Sequence, residues 1–232
     1  MELTHHIIPA YVIAMILAFA AGIAIYCYNT RGMEKLSGNL FPILLAAFFG
    51  GIIGAKLPII LMNLRHGLSW QAILAGRTIV GGLVGGTLRV LFIKNKLGIR
   101  GRYGNLLAPS IALGMGIGRI GCFFSGCCFG KPTSLPWGVE CADGLARHPT
   151  QLYEMLFCFV AFVLLQQARK TAPPGSLLTR FFLAYFTFRF LEEFLRPHEI
   201  VIGLTPFQWI SIAGILILTT KTLWMKKREK TP

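Results

Sequence analysis

Long apolar runs dominate this chain, and polar residues break them at intervals. A helix needs about 20 mainly apolar residues to cross a bilayer, with a range of about 17–25. Seven segments approach or meet that length: 7–28, 40–62, 78–93, 106–124, 151–167, 177–195 and 205–223. The third and fifth are short. The pattern predicts an all-α polytopic membrane protein of seven transmembrane helices, forming one integral-membrane domain over residues 1–232. Residues 65–77, "RHGLSWQAILAGR", read as a loop or an interfacial helix. The opening "MELTHHIIP" carries no Lys or Arg. The run 7–28 exceeds the about 7–15 residues of a signal-peptide apolar region, so it is expected to be retained as a span.

Lys and Arg set the expected orientation. One set of connecting segments holds Arg31 and Lys35; Lys94, Lys96, Arg100 and Arg102; Arg169 and Lys170; and Lys226, Lys227, Arg228 and Lys230. The opposite set holds Arg65, Lys131, Arg147 and Arg196. The richer set is expected in the cytoplasm, which puts the N-terminus outside and the C-terminus inside. Composition agrees with a lipid solvent. The chain is 54% hydrophobic and 14% charged, where a soluble domain carries about 25% charged residues. The net charge of +14 fits a cytoplasmic Lys/Arg excess. It gives no case for nucleic acid, because no basic recognition module is present.

Small residues recur at four-residue spacing. Gly50/Gly54, Gly81/Gly85, Gly82/Gly86 and Gly114/Gly118 are such pairs, and they let helix backbones approach closely in lipid. Packing alone explains them; close packing around a lipid headgroup is compatible with the same spacing.

Charges inside apolar spans are costly and mark functional sites by default. Arg119 lies within "LLAPSIALGMGIGRIGCFF", and Arg189, Glu192 and Glu193 lie within "LLTRFFLAYFTFRFLEEFL". Arg180 sits near a cytoplasmic helix end, where it can snorkel. At about 1.5 Å rise per residue, Arg119 stands roughly 20 Å above Leu106, and Arg189 roughly 18 Å above Leu177. Both are expected in the outer half of the membrane. Arg189, Glu193 and Arg196 share a helix face, so Glu193 can orient Arg189. Two arginines at one depth point to a phosphate, which the guanidinium fork suits. The alternative is a pair of structural ion bridges. An outer loop is expected at about 125–150, after which Gln151, Tyr153 and Glu154 open the next helix. Pro149 suits that helix's first turn. His148, just before it, can be a base, a headgroup contact or a cap.

Several motifs, in order, resemble the bacterial prolipoprotein diacylglyceryl transferases: "GIIGAKL", "GGLVGG", "GRIG", "GKPTSLPWG", "RHPTQLYE", "FRFLEEFLRP" and "GLTPFQWIS". They cover roughly residues 50–215. The resemblance implies a seven-helix enzyme of the bacterial plasma (inner) membrane. Such an enzyme moves the diacylglyceryl group of phosphatidylglycerol onto the lipobox cysteine of a preprolipoprotein, giving a thioether and releasing glycerol phosphate. Arg119, Arg189 and Glu193 match the family's motif arginines and glutamate. Phosphatidylglycerol, or a related anionic phospholipid, and a thiol-bearing acceptor are the implied partners. No metal or cofactor is implied.

Three positions depart from the family pattern. Val80 stands where a His usually precedes the glycines, Cys122 where an Asn follows "GRIG", and Cys127 where an acidic residue follows Asn-Gly. The cysteines admit several readings. They can be small buried residues. Cys127 or Cys128 can be a nucleophile or base activated near Arg119. A redox site with Cys141 is possible on an oxidising face. A metal site from Cys122, Cys127, Cys128, Cys141 and His148 is the fourth reading, although Cys-x4-Cys-Cys is not a usual zinc spacing. Cys27 and Cys158 lie within apolar spans and need no special role. The expected catalytic residues are Arg119, Arg189, Glu193, Cys127 and Cys128. The expected substrate-binding residues are Gly81, Gly82, Cys122, His148, Gln151, Tyr153, Glu154 and Arg196. The alternative function is a membrane thiol-redox or lipid-binding protein built around the cysteine cluster.

Overall fold

The computed structural model describes residues 3–31, 40–63, 79–99, 103–198 and 200–230. Seven α-helices account for most of them: α1 (Leu3–Thr30), α2 (Leu40–Asn63), α3 (Ile79–Lys96), α4 (Gly104–Phe124), α5 (Thr150–Ala168), α6 (Ser176–Glu192) and α7 (Pro206–Lys230). Each overlaps one of the seven expected segments. The stretch 65–77, expected as a loop or interfacial helix, lies outside the described residues. Among those residues, Ala10–Thr30, Gly104–Phe124 and Thr150–Ala168 are long and apolar enough to cross a membrane. Phe41–Leu57 and Pro206–Thr220 are shorter apolar helical runs. Helix α6 has 17 residues and carries Arg180, Arg189 and Glu192, so length and composition alone do not mark it as a span.

The chain divides into two units, Met1–Asn29 with Arg102–Pro232, and Thr30–Gly101. In the second unit α2 lies against α3, and glycine makes their contact possible. A methyl group placed on Gly85 would sit 2.4 Å from the Gly50 carbonyl oxygen, and one on Gly54 would sit 2.4 Å from that of Gly81. A side chain at either position would force the two backbones apart.

In the first unit α4 is the central packing element, touching α5 and α6, while α6 also packs on α7. Against α1 it again uses small residues: methyls placed on Gly114 and Gly121 would meet the Ala18 carbonyl oxygen at 3.1 Å and the Ala14 Cβ at 2.7 Å. Buried amides fix the ends that glycine leaves unspecified. Asn29 and Gln166 exchange two hydrogen bonds, at 3.1 and 2.9 Å. Asn105 donates to the Ala172 and Pro173 carbonyls and accepts from the Leu177 amide, tying the start of α4 to the α5–α6 turn. Buried away from water, such groups need protein partners.

Helix α6 ends in a 3₁₀ turn, Glu193–Leu195, and the chain then becomes extended at Arg196. Between α4 and α5 the loop forms a small hairpin of β1 (Val139–Glu140) and β2 (Ala146–Arg147), turned through Gly144. The Lys131 amide donates to the Leu195 carbonyl at 2.7 Å and the Gly130 amide to the His148 carbonyl at 2.8 Å, so the loop is anchored to the end of α6 and to the approach to α5.

Candidate active site

Three helices bring charge to one buried point. Arg119 comes from the last turns of α4, Glu154 from the first turns of α5, and Arg189 and Glu192 from the last turn of α6. Glu193 and Arg196 belong to the 3₁₀ turn and its end. All six are buried, and Glu154 is 0% exposed. One Glu154 oxygen, Oε2, lies 2.5 Å from Arg119 Nη2, 3.3 Å from Arg189 Nη1 and 3.6 Å from Arg196 Nη2. Its other oxygen accepts a 2.7 Å hydrogen bond from the buried Tyr185 hydroxyl. Arg189 also donates to Glu192 and, at 3.1 Å, to Glu193. Arg196 reaches Glu192 at 3.3 Å.

Three guanidiniums thus face three carboxylates. The charges balance, but the hydrogen bonds do not. The Nε atoms of Arg119 and Arg196 and Oε1 of Glu192 are buried without a hydrogen-bond partner among the described residues. Two guanidinium N–H donors therefore remain available at the edge of this balanced cluster. That combination is suited to capturing an anion.

Glu193 has a second task. Its Oε1 lies 2.5 Å from Nδ1 of His198 and accepts a 3.1 Å hydrogen bond from the Thr205 hydroxyl. The His198 side chain is 36% exposed. A carboxylate at Nδ1 favours the tautomer carrying its proton there, which leaves Nε2 able to accept one. The ring packs on Phe207, with centroids 4.9 Å apart.

The cysteines gather beyond Arg119. The sulfurs of Cys122, Cys127 and Cys128 all lie within 4.8 Å of one another, and Arg119 Nη1 is 3.9 Å from the Cys122 sulfur. Gly126 and Cys128 adopt positive φ, 65° and 67°, which folds the loop back on the helix end. Gln151 donates to the Cys127 carbonyl at 2.5 Å and Thr150 to the Cys128 carbonyl at 2.6 Å. Hydrogen bonding with Cys122 and Cys127 holds the Cys128 thiol well below its ordinary range, with Arg119 and Arg196 adding attraction. Farther along the loop, Arg147 bonds Asp143 at 2.6 Å and holds that exposed carboxyl below its usual range.

The expected residues thus fall into groups. Arg119, Arg189, Glu193, Arg196 and Glu154 meet in the ion cluster, while Cys122, Cys127, Cys128 and Gln151 meet just past it. His148 and Tyr153 form a separate pair, His148 Nδ1 lying 3.2 Å from the Tyr153 hydroxyl, which also accepts from Trp137 at 2.9 Å. Gly81 and Gly82 belong to α3 of the other unit, where methyls built on Gly54 and Gly51 meet their carbonyl oxygens at 2.4 and 3.7 Å. Val80 lies on α3, at a position whose side chain is outside the described set.

Four participants carried a weaker signal in the sequence. Glu154 reads as the polar opening of a helix, yet it is the carboxylate that three arginines share. Glu192 stands out as a charge in an apolar run but without a partner. Charge counting was the available clue, since three buried arginines need more than Glu193 to balance them. Tyr185 and His198 carry no local pattern that separates them from packing and loop residues.

The chain matches the sequence profile of the prolipoprotein diacylglyceryl transferase family over residues 1–224. A phosphatidylglycerol–prolipoprotein diacylglyceryl transferase of Clostridium tetani is 36% identical over 193 residues, covering 77% of this chain and 78% of the relative. The proteins of the same name from Bordetella avium and Geobacter sulfurreducens are 31% and 30% identical. Those matches cover 94% and 87% of this chain, and 92% and 84% of the relatives.

Proposed function

The chain belongs to the prolipoprotein diacylglyceryl transferase family, and on that basis we propose that it transfers the diacylglyceryl group of phosphatidylglycerol to a cysteine thiol of a preprolipoprotein. The observation that carries the site assignment is the meeting of Arg119 and Arg189, from two different helices, on one oxygen of Glu154. Glu154 is the resident anion. It holds like charges together while the site is empty and aims their remaining donors at the incoming phosphate.

The reaction forms a carbon–sulfur bond and breaks a carbon–oxygen bond. The acceptor thiolate attacks the glyceryl methylene carbon, and the phosphate oxygen leaves with the bonding electrons as glycerol phosphate. Negative charge grows on that phosphate in the transition state. Donors already oriented in a site with little water stabilise it without reorganising. Arg119 and Arg189 supply this stabilisation, and Glu193 positions Arg189. The thiol must first lose a proton. His198, oriented by Glu193, receives it at Nε2 and so takes the role left open by Val80. The acceptor sulfur comes from the protein substrate. A thioether formed on Cys127 or Cys128 would be a dead end, because an alkyl thiolate is a poor leaving group from saturated carbon.

In this reading the chain crosses the bacterial inner membrane seven times, with the N-terminus outside, the C-terminus in the cytoplasm and the ion cluster toward the outer leaflet. The Lys/Arg distribution supports that sidedness. His148 and Tyr153 meet the acceptor beneath the outer loop, while the buried Gln151 holds that loop through the Cys127 carbonyl.

Purified protein in vesicles of labelled phosphatidylglycerol, mixed with a lipobox peptide, tests the activity. The expected products are a diacylglyceryl-thioether peptide and glycerol phosphate in equal amounts. His198→Gln is expected to slow transfer by about 10²-fold or more. Absence of thioether product, under conditions where the Clostridium tetani relative forms it, rejects this activity.

A further inference from the structure

The cysteine cluster stands apart from this chemistry and has a geometry of its own. Three sulfurs within 4.8 Å of one another are brought together by two features. The end of α4 supplies Cys122, and a tight turn through Gly126 and Cys128, both at positive φ, returns Cys127 and Cys128 toward it. Cys128 has a Cβ, so this conformation is sterically unfavourable and must be held by its surroundings. Thr150 and Gln151, both 0% exposed, supply the hold through their hydrogen bonds to the Cys128 and Cys127 carbonyls.

We propose that Cys122, Cys127 and Cys128 form a three-sulfur binding site for a soft thiophilic cation, with Cu(I) as its representative. A cation bonded to three sulfurs at about 2.3 Å each holds them about 4 Å apart in a trigonal plane. Cys127 and Cys128 already have their sulfurs 3.6 Å apart, so only small adjustments within the 4.8 Å group are required. Thiolate ligands select soft ions. Zinc would ask for a fourth ligand, a further residue or a water, and among the described residues the group holds three. Cys141 and His148, the other ligands considered from sequence, lie outside it. The Cys141 sulfur instead lies 3.6 Å from the Val139 carbonyl, and His148 is engaged by Tyr153.

Other uses of the three thiols fit less well. A disulfide between Cys122 and either neighbour leaves the third sulfur without a role. A bridge between Cys127 and Cys128 has to span adjacent Cα atoms about 3.8 Å apart, closer than the usual disulfide range of about 4.4–6.8 Å. A cation uses all three. Binding replaces the thiol protons, which are released to solvent. The resulting site carries excess negative charge, and the Arg119 guanidinium 3.9 Å from Cys122 offsets part of it. The Ser125 hydroxyl, 3.2 Å from the Cys127 sulfur, supplies a hydrogen-bond donor.

The test is an anaerobic competition between the full-length reduced protein in micelles and a chromogenic Cu(I) chelator. One equivalent of Cu(I) is expected to be retained, with X-ray absorption showing three sulfur neighbours. Each of Cys122→Ser, Cys127→Ser and Cys128→Ser is expected to weaken retention by about 100-fold or more, since even loss of a supporting group costs about 10–100-fold. Cys141→Ser is expected to retain the wild-type affinity. If a serine variant is not recovered folded, the sulfur coordination number of the wild type decides. Substoichiometric copper, fewer than three sulfur neighbours, or a triple serine variant that binds as well as wild type would each overturn the site. So would stoichiometric Zn(II) bound in preference to Cu(I).

Discussion

Helices α2 and α3 are joined by the absence of side chains, whereas α4, α5 and α6 are joined by some of the most polar side chains in the chain. In the first pair, the carbonyls of Gly50 and Gly81 occupy space that a Cβ on Gly85 or Gly54 would need. In the second group, Arg119, Arg189 and Arg196 meet Glu154, Glu192 and Glu193 in a buried cluster. Both arrangements bring helix backbones together. Glycine does so by shape and places no chemistry at the contact. The ion cluster costs desolvation and requires each partner, but it leaves guanidinium donors poised for a ligand. Burial of charge without a functional return would be hard to explain beside a cheaper packing solution in the same chain.

Glu154→Ala is expected to have the largest effect on stability, lowering it by about 3–5 kcal/mol, because removal of one partner leaves buried charge uncompensated. Unfolding of the purified protein in micelles measures it. Arg189→Lys comes next. It keeps the charge but loses the fork that engages several acceptors at once, and transfer is expected to fall by about 10²–10³-fold in the labelled-lipid assay. Gly85→Ala is expected to cost about 1–3 kcal/mol of stability through overpacking, while the pH dependence of transfer stays unchanged. A shift in that pH profile would show that the glycine contact does more than pack.

Asp143→Asn is expected to have the smallest effect, with no measurable change in transfer or unfolding midpoint at neutral pH. Arg147 lowers the folded-state pKa of Asp143. Whatever the exposed pair contributes is therefore present above the ordinary carboxylate range and lost as pH falls through the lowered value. An unfolding series across the acid range checks that sign with the Asn variant as reference.

The sequence announced these regions unequally. Helix positions were legible because long apolar runs bounded by polar residues mark them, and α4 matches its expected segment to within two residues at its start. The glycine contact was legible as spacing, although which helix faced which was not. Arg119 and Arg189 were legible because charge in an apolar run is exceptional. Their shared partner was harder to find. Glu154 lies 35 positions from each arginine, within a stretch where a polar residue needs no explanation, and only the packing of α4, α5 and α6 joins them. His198 follows a proline after α6, and its relation to Glu193 depends on the chain turning back at the 3₁₀ end. The spacing of Cys122, Cys127 and Cys128 matched no familiar ligand pattern, because the turn at Gly126 and Cys128 brings their sulfurs together.

Phospholipid retention by the intact protein probes the phosphate role of the two arginines apart from the later chemistry. Native mass spectrometry of protein taken from equal mixtures of phosphatidylglycerol and phosphatidylcholine would compare wild type with Arg119→Gln, Arg189→Gln and, as a control distant along α6, Arg180→Gln. Wild type and the Arg180 variant should retain phosphatidylglycerol preferentially, and both cluster variants should lose that preference. An undiminished preference in Arg119→Gln and Arg189→Gln would mean that the cluster serves only to hold helices together.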